Sequence, residues 1–365
     1  MQAACSTQPS EIDFVPIDMN PNLQAPTRFP ALDALRGVAV LMVVYDHLFA
    51  LAGERMAGGP FAPTAWIREW ISTPLGIIQD FGWFGVCLFF LISGFVITHS
   101  ARRESLRVFT VRRVFRILPP LAVAIAVVWV LDLQAGTHRP WSDYLYGLSL
   151  MGYFTVPQIV VLGVAWTLVI EIIFYILMAA VSPLLKLSHP AVGVAVATAV
   201  PLTVILCARS FGGSFFLFAA SVAYLPVLLI GSALYLHKTA NASALSVSVL
   251  ILANCASFML GLRSIHTAFL PLNNSYLLSL AYAGAIFMVC VGLSAPRALR
   301  WVGDVSYSLY LLHGTLGFFV VQVALSLGMG LASPWVATVL CLGASYAMYR
   351  AVERPAIALG KRLAA

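Results

Sequence analysis

Four charged or titratable side chains interrupt the first long apolar stretch of the chain: Asp33, Arg36, Asp46 and His47. A charged group inside a membrane segment costs about 2.5–3.5 kcal/mol on insertion scales, so such groups are retained where they face protein or water and serve a function. Histidine titrates near neutral pH and is the residue most often used as a general base. This stretch is therefore a candidate site for proton-transfer chemistry.

The spacing of these side chains groups three of them on one side of a helix. At about 100° per residue, Asp33, Arg36 and His47 share a face, and Arg36 lies about 16 Å from His47 along the axis. This predicts a cation near one end of the segment and an imidazole deeper inside. Two plainer interpretations stay open: an Asp33–Arg36 ion pair at i,i+3, and a histidine that is merely hydrogen-bonded within a helix bundle.

Composition identifies the class of protein to which these residues belong. The 365 residues are 61% hydrophobic and 10% charged, with a mean hydropathy of +0.93, whereas soluble domains are about 45–50% apolar and about 25% charged. The chain is therefore a polytopic membrane protein. Its net charge of +7 is typical of basic cytoplasmic loops, and we expect no nucleic-acid partner. The six cysteines lack disulfide-framework or metal-ligand spacing, so no metal site is predicted.

Eleven apolar stretches approach the ~20 residues that a membrane-crossing helix needs. The fourth, near 143–163, is broken by Gly152 and Pro157. If this stretch does not cross the membrane, fifteen Lys and Arg residues lie on the side of the N-terminus and five on the opposite side. If it crosses, nine lie on the side of the N-terminus and eleven on the opposite side. The positive-inside rule favours the first arrangement. We predict an all-α integral membrane fold with ten transmembrane helices, both termini cytoplasmic, and a re-entrant or interfacial hairpin near 143–163. The ten stretches are 31–52, 83–101, 116–133, 165–186, 191–208, 215–236, 246–262, 276–294, 305–328 and 334–352.

The segment 102–116 contains six arginines. One interpretation is a cytoplasmic loop that fixes topology and meets anionic lipid headgroups. The other is a phosphate clamp, because guanidinium groups bind phosphate oxygens bidentately. Arg113 and Arg116 are one helical turn apart and could hold one phosphate together, with Arg112 beside them. This second interpretation predicts a negatively charged cytosolic cosubstrate.

Six stretches resemble the membrane acyltransferase-3 family in order along the chain. Residues 32–47 read LDALRGVAVLMVVYDH and resemble the opening LDGLRGIAALLVVLYH of that family. The other five are 85–95 (GVCLFFLISGF), 113–116 (RVFR), 166–171 (WTLVIE), 304–313 (DVSYSLYLLH) and 353–355 (ERP). The resemblance implies one transmembrane domain over 31–357, between a flexible cytoplasmic tail at 1–30 and a cytoplasmic tail at 358–365. The family often carries a second acid after the WSLSVE motif, where this chain has Ile172.

The resemblance also implies a function. Members transfer an acyl group, usually acetyl, from a cytosolic acyl-CoA to a hydroxyl, most often on a surface polysaccharide, lipopolysaccharide or related glycolipid, and some modify macrolides. We therefore expect an acyl-CoA-dependent O-acyltransferase in the bacterial inner membrane. Acetyl-CoA or another acyl-CoA would be the cosubstrate, with no permanently bound cofactor, and the partners would be the bilayer and a carbohydrate or glycolipid acceptor.

Roles follow for individual residues. We expect His47 to act as the general base, Glu171 to orient it, and Arg36 to lie between His47 and the clamp of Arg112, Arg113 and Arg116. Six further residues are candidates for the pocket, although helix packing, or an interfacial position for Trp166, would explain them equally: Asp33, Trp166, Ser306, Tyr307, Tyr310 and His313.

Two other functions stay open. A glycolipid transporter or flippase would also use intramembrane Arg, His and Glu side chains, but it would not release thiol from an acyl-CoA. A non-catalytic scaffold for polysaccharide assembly would tolerate the loss of His47.

Overall fold

The computed structural model describes residues 30–54, 58, 62–239, 241–265 and 274–365. All regular secondary structure in these ranges is helical. Residues 1–29 of the predicted N-terminal tail lie outside the described residues.

The apolar stretches form eleven helices in the described part of the chain. Short helices at Ala62–Ile67 and Trp141–Ser149 lie between them. The eleven are α1 (Pro30–Gly53), α2 (Gln79–Arg103), α3 (Leu106–Gln134), α4 (Gly163–Leu185), α5 (Ala191–Leu206), α6 (Gly213–Lys238), α7 (Ala244–Ile265), α8 (Ser275–Cys290), α9 (Arg297–Leu312), α10 (Thr315–Ser326) and α11 (Gly330–Ala364).

The all-helical membrane fold is confirmed, but the count of ten crossings is not. In the described ranges, seven helices are long and apolar enough to cross a membrane, namely α1–α4, α6, α7 and α11, and the pair α9–α10, bent by 74°, forms at most an eighth span. Helices α5 and α8 are apolar but only 16 residues long, short of the ~20 that a bilayer requires. Each of the ten predicted stretches nevertheless contains an apolar helix.

The region near 143–163 does not form a single long helix. The helix Trp141–Ser149 has nine residues, and the chain then folds back on itself. The amide of Ile159 donates to the carbonyl of Gly152 at 2.9 Å, and the hydroxyl of Tyr153 donates to the carbonyl of Leu162 at 2.6 Å. This compact hairpin is too short to span a bilayer as a helix.

Glycines bring the central helices into close contact. A Cβ atom at Gly303 of α9 would overlap the carbonyl oxygen of Asp33 in α1, and a Cβ atom at Gly37 of α1 would overlap the carbonyl oxygen of Leu299 in α9. Gly94 and Gly231 form the same kind of reciprocal contact between α2 and α6. Membrane helices associate through small residues of this kind because no hydrophobic effect drives them together within lipid.

Helix α1 changes its winding at the segment that carries His47. It is α-helical from Pro30 to Val44 and π-helical from Tyr45 to Gly53. A π-helical turn is wider than an α-helical one and is frequent at functional sites. The prediction that His47 and Arg36 share a helix face assumed 100° per residue throughout, which holds only as far as Val44. His47 therefore points in a different direction from Arg36.

Candidate active site

A partly open cavity lies at the centre of the bundle, between helices α1, α2, α3, α4 and α9. Three arginines and one carboxylate are the charged groups among its lining residues. It is lined by Arg36, Val86, Phe89, Phe90, Ser93, Ile97, Arg113, Arg116, Ile117, Thr167, Leu168, Glu171, Tyr175, Ser306, Tyr307 and Tyr310.

The three arginines reach the cavity from two helices. Arg36 of α1 also forms the i,i+3 ion pair with Asp33, at 3.6 Å. Arg113 of α3 donates to the Ser100 hydroxyl at 2.7 Å, and its guanidinium lies over the rings of Phe109 and Tyr175. Its Nε atom is buried without a hydrogen-bond partner in the described part of the chain, so one charged donor beside the cavity is available to a ligand.

Glu171 is held by a short hydrogen-bonded chain on the cavity wall. The hydroxyl of Tyr175, one turn further along α4, donates to Glu171 Oε1 at 2.5 Å, and Ser93 of α2 donates to the same oxygen at 3.3 Å. Glu171 faces the arginines and is not a hydrogen-bond partner of His47. The residue that contacts the imidazole of His47 in this structure is His313, so the role of Glu171 in orienting His47 stays a prediction that this arrangement does not support.

A second carboxylate lies behind the arginines. Glu353 of α11 is 2% exposed and accepts a hydrogen bond from the Ser308 hydroxyl at 2.7 Å. Its negative charge acts on Arg116 and Arg36. This carboxylate offsets part of the positive charge of the cavity without lining it.

Helix α9 supplies the polar side chains of the opposite wall. Tyr307 donates to the carbonyl of Ile117 in α3 at 3.1 Å, and Ser306 donates within its own helix to Gly303 at 2.7 Å. Tyr310 donates to the carbonyl of Val164 at 3.1 Å and accepts from Thr167 at 2.9 Å. The last contacts fix Tyr310 against the start of α4.

His47 contacts a second histidine, not the cavity. Its Nδ1 lies 2.7 Å from Nε2 of His313, and the two rings are nearly parallel, with centroids 4.9 Å apart and planes inclined by 8°. His313 is fully buried, whereas the His47 side chain is 26% exposed. His313 Nδ1 lies 3.1 Å from the carbonyl oxygen of Leu309. The structure thus places His47 and His313 together as a histidine pair.

Tyr310 separates this histidine pair from the arginine cavity. Its ring centroid lies 5.6 Å from that of His313 and 5.7 Å from that of Phe89, and both Tyr310 and Phe89 line the cavity. The predicted residues therefore form two neighbouring groups, with Tyr310 between them.

Besides His47 and His313, three other predicted site residues lie outside the cavity lining. Arg112 is on the exposed side of α3 and pairs with Glu104 at 2.7 Å. Asp33 forms the ion pair with Arg36 but does not itself line the cavity. Trp166 packs against Phe90 and Tyr224.

An apolar groove joins the cavity to the outer surface of the bundle. It begins at the cavity residues Arg113, Ile117 and Tyr175 and continues between α3 and α4 past Leu118 and Ile172. From there it continues to the hairpin helix Trp141–Ser149, through two partly open parts that share Leu118 and Ile172 as lining residues. Its walls include the exposed side chains of Val114, Leu118 and Ile176.

Sequence reasoning missed three residues of this site. Tyr175 follows Glu171 by one helical turn, so the i,i+4 spacing could have indicated it. Glu353 is the acid of the motif at 353–355, directly after the apolar stretch 334–352, and that motif could have indicated it. Ser93 lies in the quoted motif at 85–95 but gives no chemical signal of its own.

Comparison with known proteins gives a consistent result. A family model described as an acyltransferase domain matches residues 29–350. Nodulation protein 10 of Rhizobium leguminosarum bv. viciae is 31% identical over 170 residues, which cover 40% of this chain and 41% of that relative. The match thus spans less than half of the relative's length. No solved structure matches the chain. The order of motifs, the helical membrane fold and the family match together show that this chain belongs to the acyltransferase-3 family.

Proposed function

We propose that this chain is a membrane-bound O-acyltransferase that moves an acetyl group from acetyl-CoA to a hydroxyl of a surface carbohydrate. The observation that carries the proposal is the cavity in which Arg36, Arg113 and Arg116 converge beside the histidine pair. Guanidinium groups bind phosphate oxygens through paired, charge-assisted hydrogen bonds. The cavity therefore suits the phosphates of a CoA donor, and the buried free donor of Arg113 adds to that fit.

The two groups of residues would divide the reaction. The arginines hold the donor so that its thioester reaches past Tyr310 toward His47. Nε2 of His47 takes the proton of the acceptor hydroxyl, whose oxygen forms a bond to the thioester carbonyl carbon. The carbon–sulfur bond breaks, and the departing thiolate takes the proton from His47 to leave as free CoA. The buried walls of the site exclude water that would otherwise hydrolyse the donor.

The apolar groove favours a lipid-linked acceptor. It opens toward the bilayer along α3 and α4 and leads into the cavity at Arg113 and Tyr175. A glycan attached to an apolar chain could enter sideways, with the chain in the groove and the sugar at the site. We propose this arrangement in a bacterial inner membrane, with both termini in the cytoplasm as the distribution of basic residues favours.

The test uses the full chain purified in detergent. Release of thiol from acetyl-CoA is measured without acceptor, with a water-soluble glycan, and with the same glycan on a lipid carrier. We expect release that depends on acceptor and is faster with the lipid-linked glycan. If folded protein releases no thiol from acetyl, succinyl or longer acyl-CoA with either acceptor, the acyltransferase proposal is wrong, and a glycolipid transporter becomes the better account.

A further inference from the structure

We infer that His313 is a positioning residue that fixes which ring nitrogen of His47 carries the proton. The inference rests on the proposed function for its catalytic consequence, but the proton positions themselves follow from three atoms and can be measured without any reaction. It concerns only the histidine pair and the carbonyl of Leu309.

The first step concerns His313. Its Nδ1 lies 3.1 Å from the carbonyl oxygen of Leu309, one turn earlier in the same helix. A carbonyl oxygen only accepts hydrogen bonds, so Nδ1 of His313 carries the hydrogen. In a neutral ring Nε2 then has the lone pair and acts as an acceptor. The complete burial of His313 favours this neutral form, because an unpaired charge at a fully buried position is costly.

The second step transfers this constraint to His47. Its Nδ1 lies 2.7 Å from the accepting Nε2 of His313, so Nδ1 of His47 must donate and therefore carries the hydrogen. Nε2 of a neutral His47 is then unprotonated. That nitrogen is the one that must be free to accept a proton from an acceptor hydroxyl. The chain of hydrogen bonds runs from His47 through His313 to Leu309 and prepares His47 as a base.

The groups around the pair fit this role. Asp46 of α1 places Oδ2 3.8 Å from Nε2 of His47, too far for a hydrogen bond but close enough to stabilise the imidazolium that forms when Nε2 takes a proton. Tyr310 of α9 and Phe318 of α10 contact the pair through their rings. In the described part of the chain, Asp46 and Tyr310 are the titratable neighbours that we find in contact with the two histidines.

A packing role for His313 makes a different prediction. A residue that only fills space could be replaced by leucine without affecting the proton on His47. A positioning residue must present an acceptor atom at the place of Nε2, and glutamine can do so with its side-chain oxygen. The pair of variants His313→Leu and His313→Gln therefore separates the two roles, since both change the packing and only one removes the acceptor.

The direct test is nitrogen-15 NMR of histidine-labelled protein in detergent micelles, with His47 assigned through His47→Gln. We expect His47 and His313 in the Nδ1–H form in the wild type. In His313→Leu we expect His47 to change to the Nε2–H form, and in His313→Gln to keep Nδ1–H. An Nε2–H form of His47 in the wild type, or no change in His313→Leu, would overturn the inference. This readout requires no activity, so it stands even if the proposed transfer fails.

The kinetic test uses the same variants. We expect kcat of His313→Leu to fall by about 100-fold or more, because a wrong tautomer disables a general base, while KM for acetyl-CoA stays unchanged. His313→Gln should recover a large part of this loss. His138→Leu, at an exposed loop position, is the matched control and should stay within about twofold of the wild type. Equal losses in the Leu and Gln variants would show that His313 acts by packing alone.

Discussion

The arginine cavity and the histidine pair lie on opposite sides of Tyr310 and differ in almost every physical property. The cavity is lined by three guanidinium groups and one carboxylate, with a second carboxylate behind them. The pair consists of two nearly parallel rings joined by a hydrogen bond, and the fully buried ring of His313 is also hydrogen-bonded to a backbone carbonyl. The first region concentrates positive charge, and the second places two imidazoles in hydrogen-bond contact.

The difference shows why the two tasks are kept apart. Three cations beside a histidine would oppose its protonation and weaken it as a base. The ring of Tyr310 lies between the arginine cavity and the imidazoles. Helices α1 and α9 contribute residues to both regions, so their crossing sets the distance between them. Variants that affect one region alone can therefore test the division.

The largest expected effect is the loss of both regions together, in Gly303→Val. The new side chain would overlap the carbonyl of Asp33 and force α1 and α9 apart. Overpacking of this kind costs about 1–3 kcal/mol or more, and we expect a lower unfolding temperature with loss of both CoA binding and transfer. Gly343→Val, at a helical position with open space around it, is the control. Normal binding and transfer in Gly303→Val would contradict the close crossing.

Arg116→Gln should affect the cavity alone. Loss of one charge-assisted hydrogen bond of about 1.5–3 kcal/mol predicts CoA binding that is about 10- to 150-fold weaker, with kcat at saturating donor close to normal. Calorimetric titration of CoA measures the change. Arg112→Gln is the matched control, because Arg112 pairs with Glu104 on the exposed side of the same helix. Equal weakening by the two substitutions would indicate general attraction to a basic surface.

Glu353→Gln should have a smaller effect of the opposite sign. Removing the negative charge that acts on Arg116 and Arg36 leaves the cavity more positive, while glutamine can still accept from Ser308. We expect CoA to bind a few-fold more tightly at low salt, by about 1 kcal/mol, and the gain to shrink at high salt. Weaker binding at every salt concentration would show that Glu353 holds the arginines in position.

The smallest effect is expected outside the membrane helices, at Arg68. Its guanidinium binds Asp80 and Glu54, and the hydrogen bond to Asp80 contributes most to raising the Arg68 pKa. Asp80 is one of the first three residues of α2, which all have positive φ, at 53°, 43° and 72°. Because Asp46 packs against Gly82 in the next turn, Arg68→Gln should lower kcat a few-fold, within the ~1 kcal/mol of an exposed ion pair.

The measurement for Arg68→Gln compares kcat with the affinity for CoA. Affinity should stay unchanged, since Arg68 belongs to the side of the histidine pair. A loss of CoA affinity with normal kcat would place the Arg68 cluster on the donor side and contradict the division.

Much of the fold was accessible from the sequence because membrane helices are long apolar runs. All ten predicted stretches contain a helix, and the region near 143–163 folds as a hairpin. The number of membrane crossings could not be predicted from the sequence, because α5 and α8 are shorter than a standard span and α9 bends sharply into α10. Whether such helices cross depends on tertiary packing, which local hydropathy does not encode.

The sequence pointed to candidate site residues but not to how the structure groups them. Arg36, Arg113, Arg116 and Glu171 do line one cavity, together with residues of α9. His47 and His313 are 266 positions apart in the chain. The spacing of residues within one helix therefore could not predict their contact. The π-helical turn that redirects His47 likewise depends on how α1 packs against α10 and α11.

The most direct test of the division is to measure CoA binding and acyl transfer on the same preparation of His47→Ala. The account predicts that the dissociation constant of acetyl-CoA stays within about twofold of the wild type, while kcat falls by about 100- to 10,000-fold, as expected for loss of a general base. Transfer that persists in His47→Ala, or CoA binding that is lost in step with transfer, would contradict it.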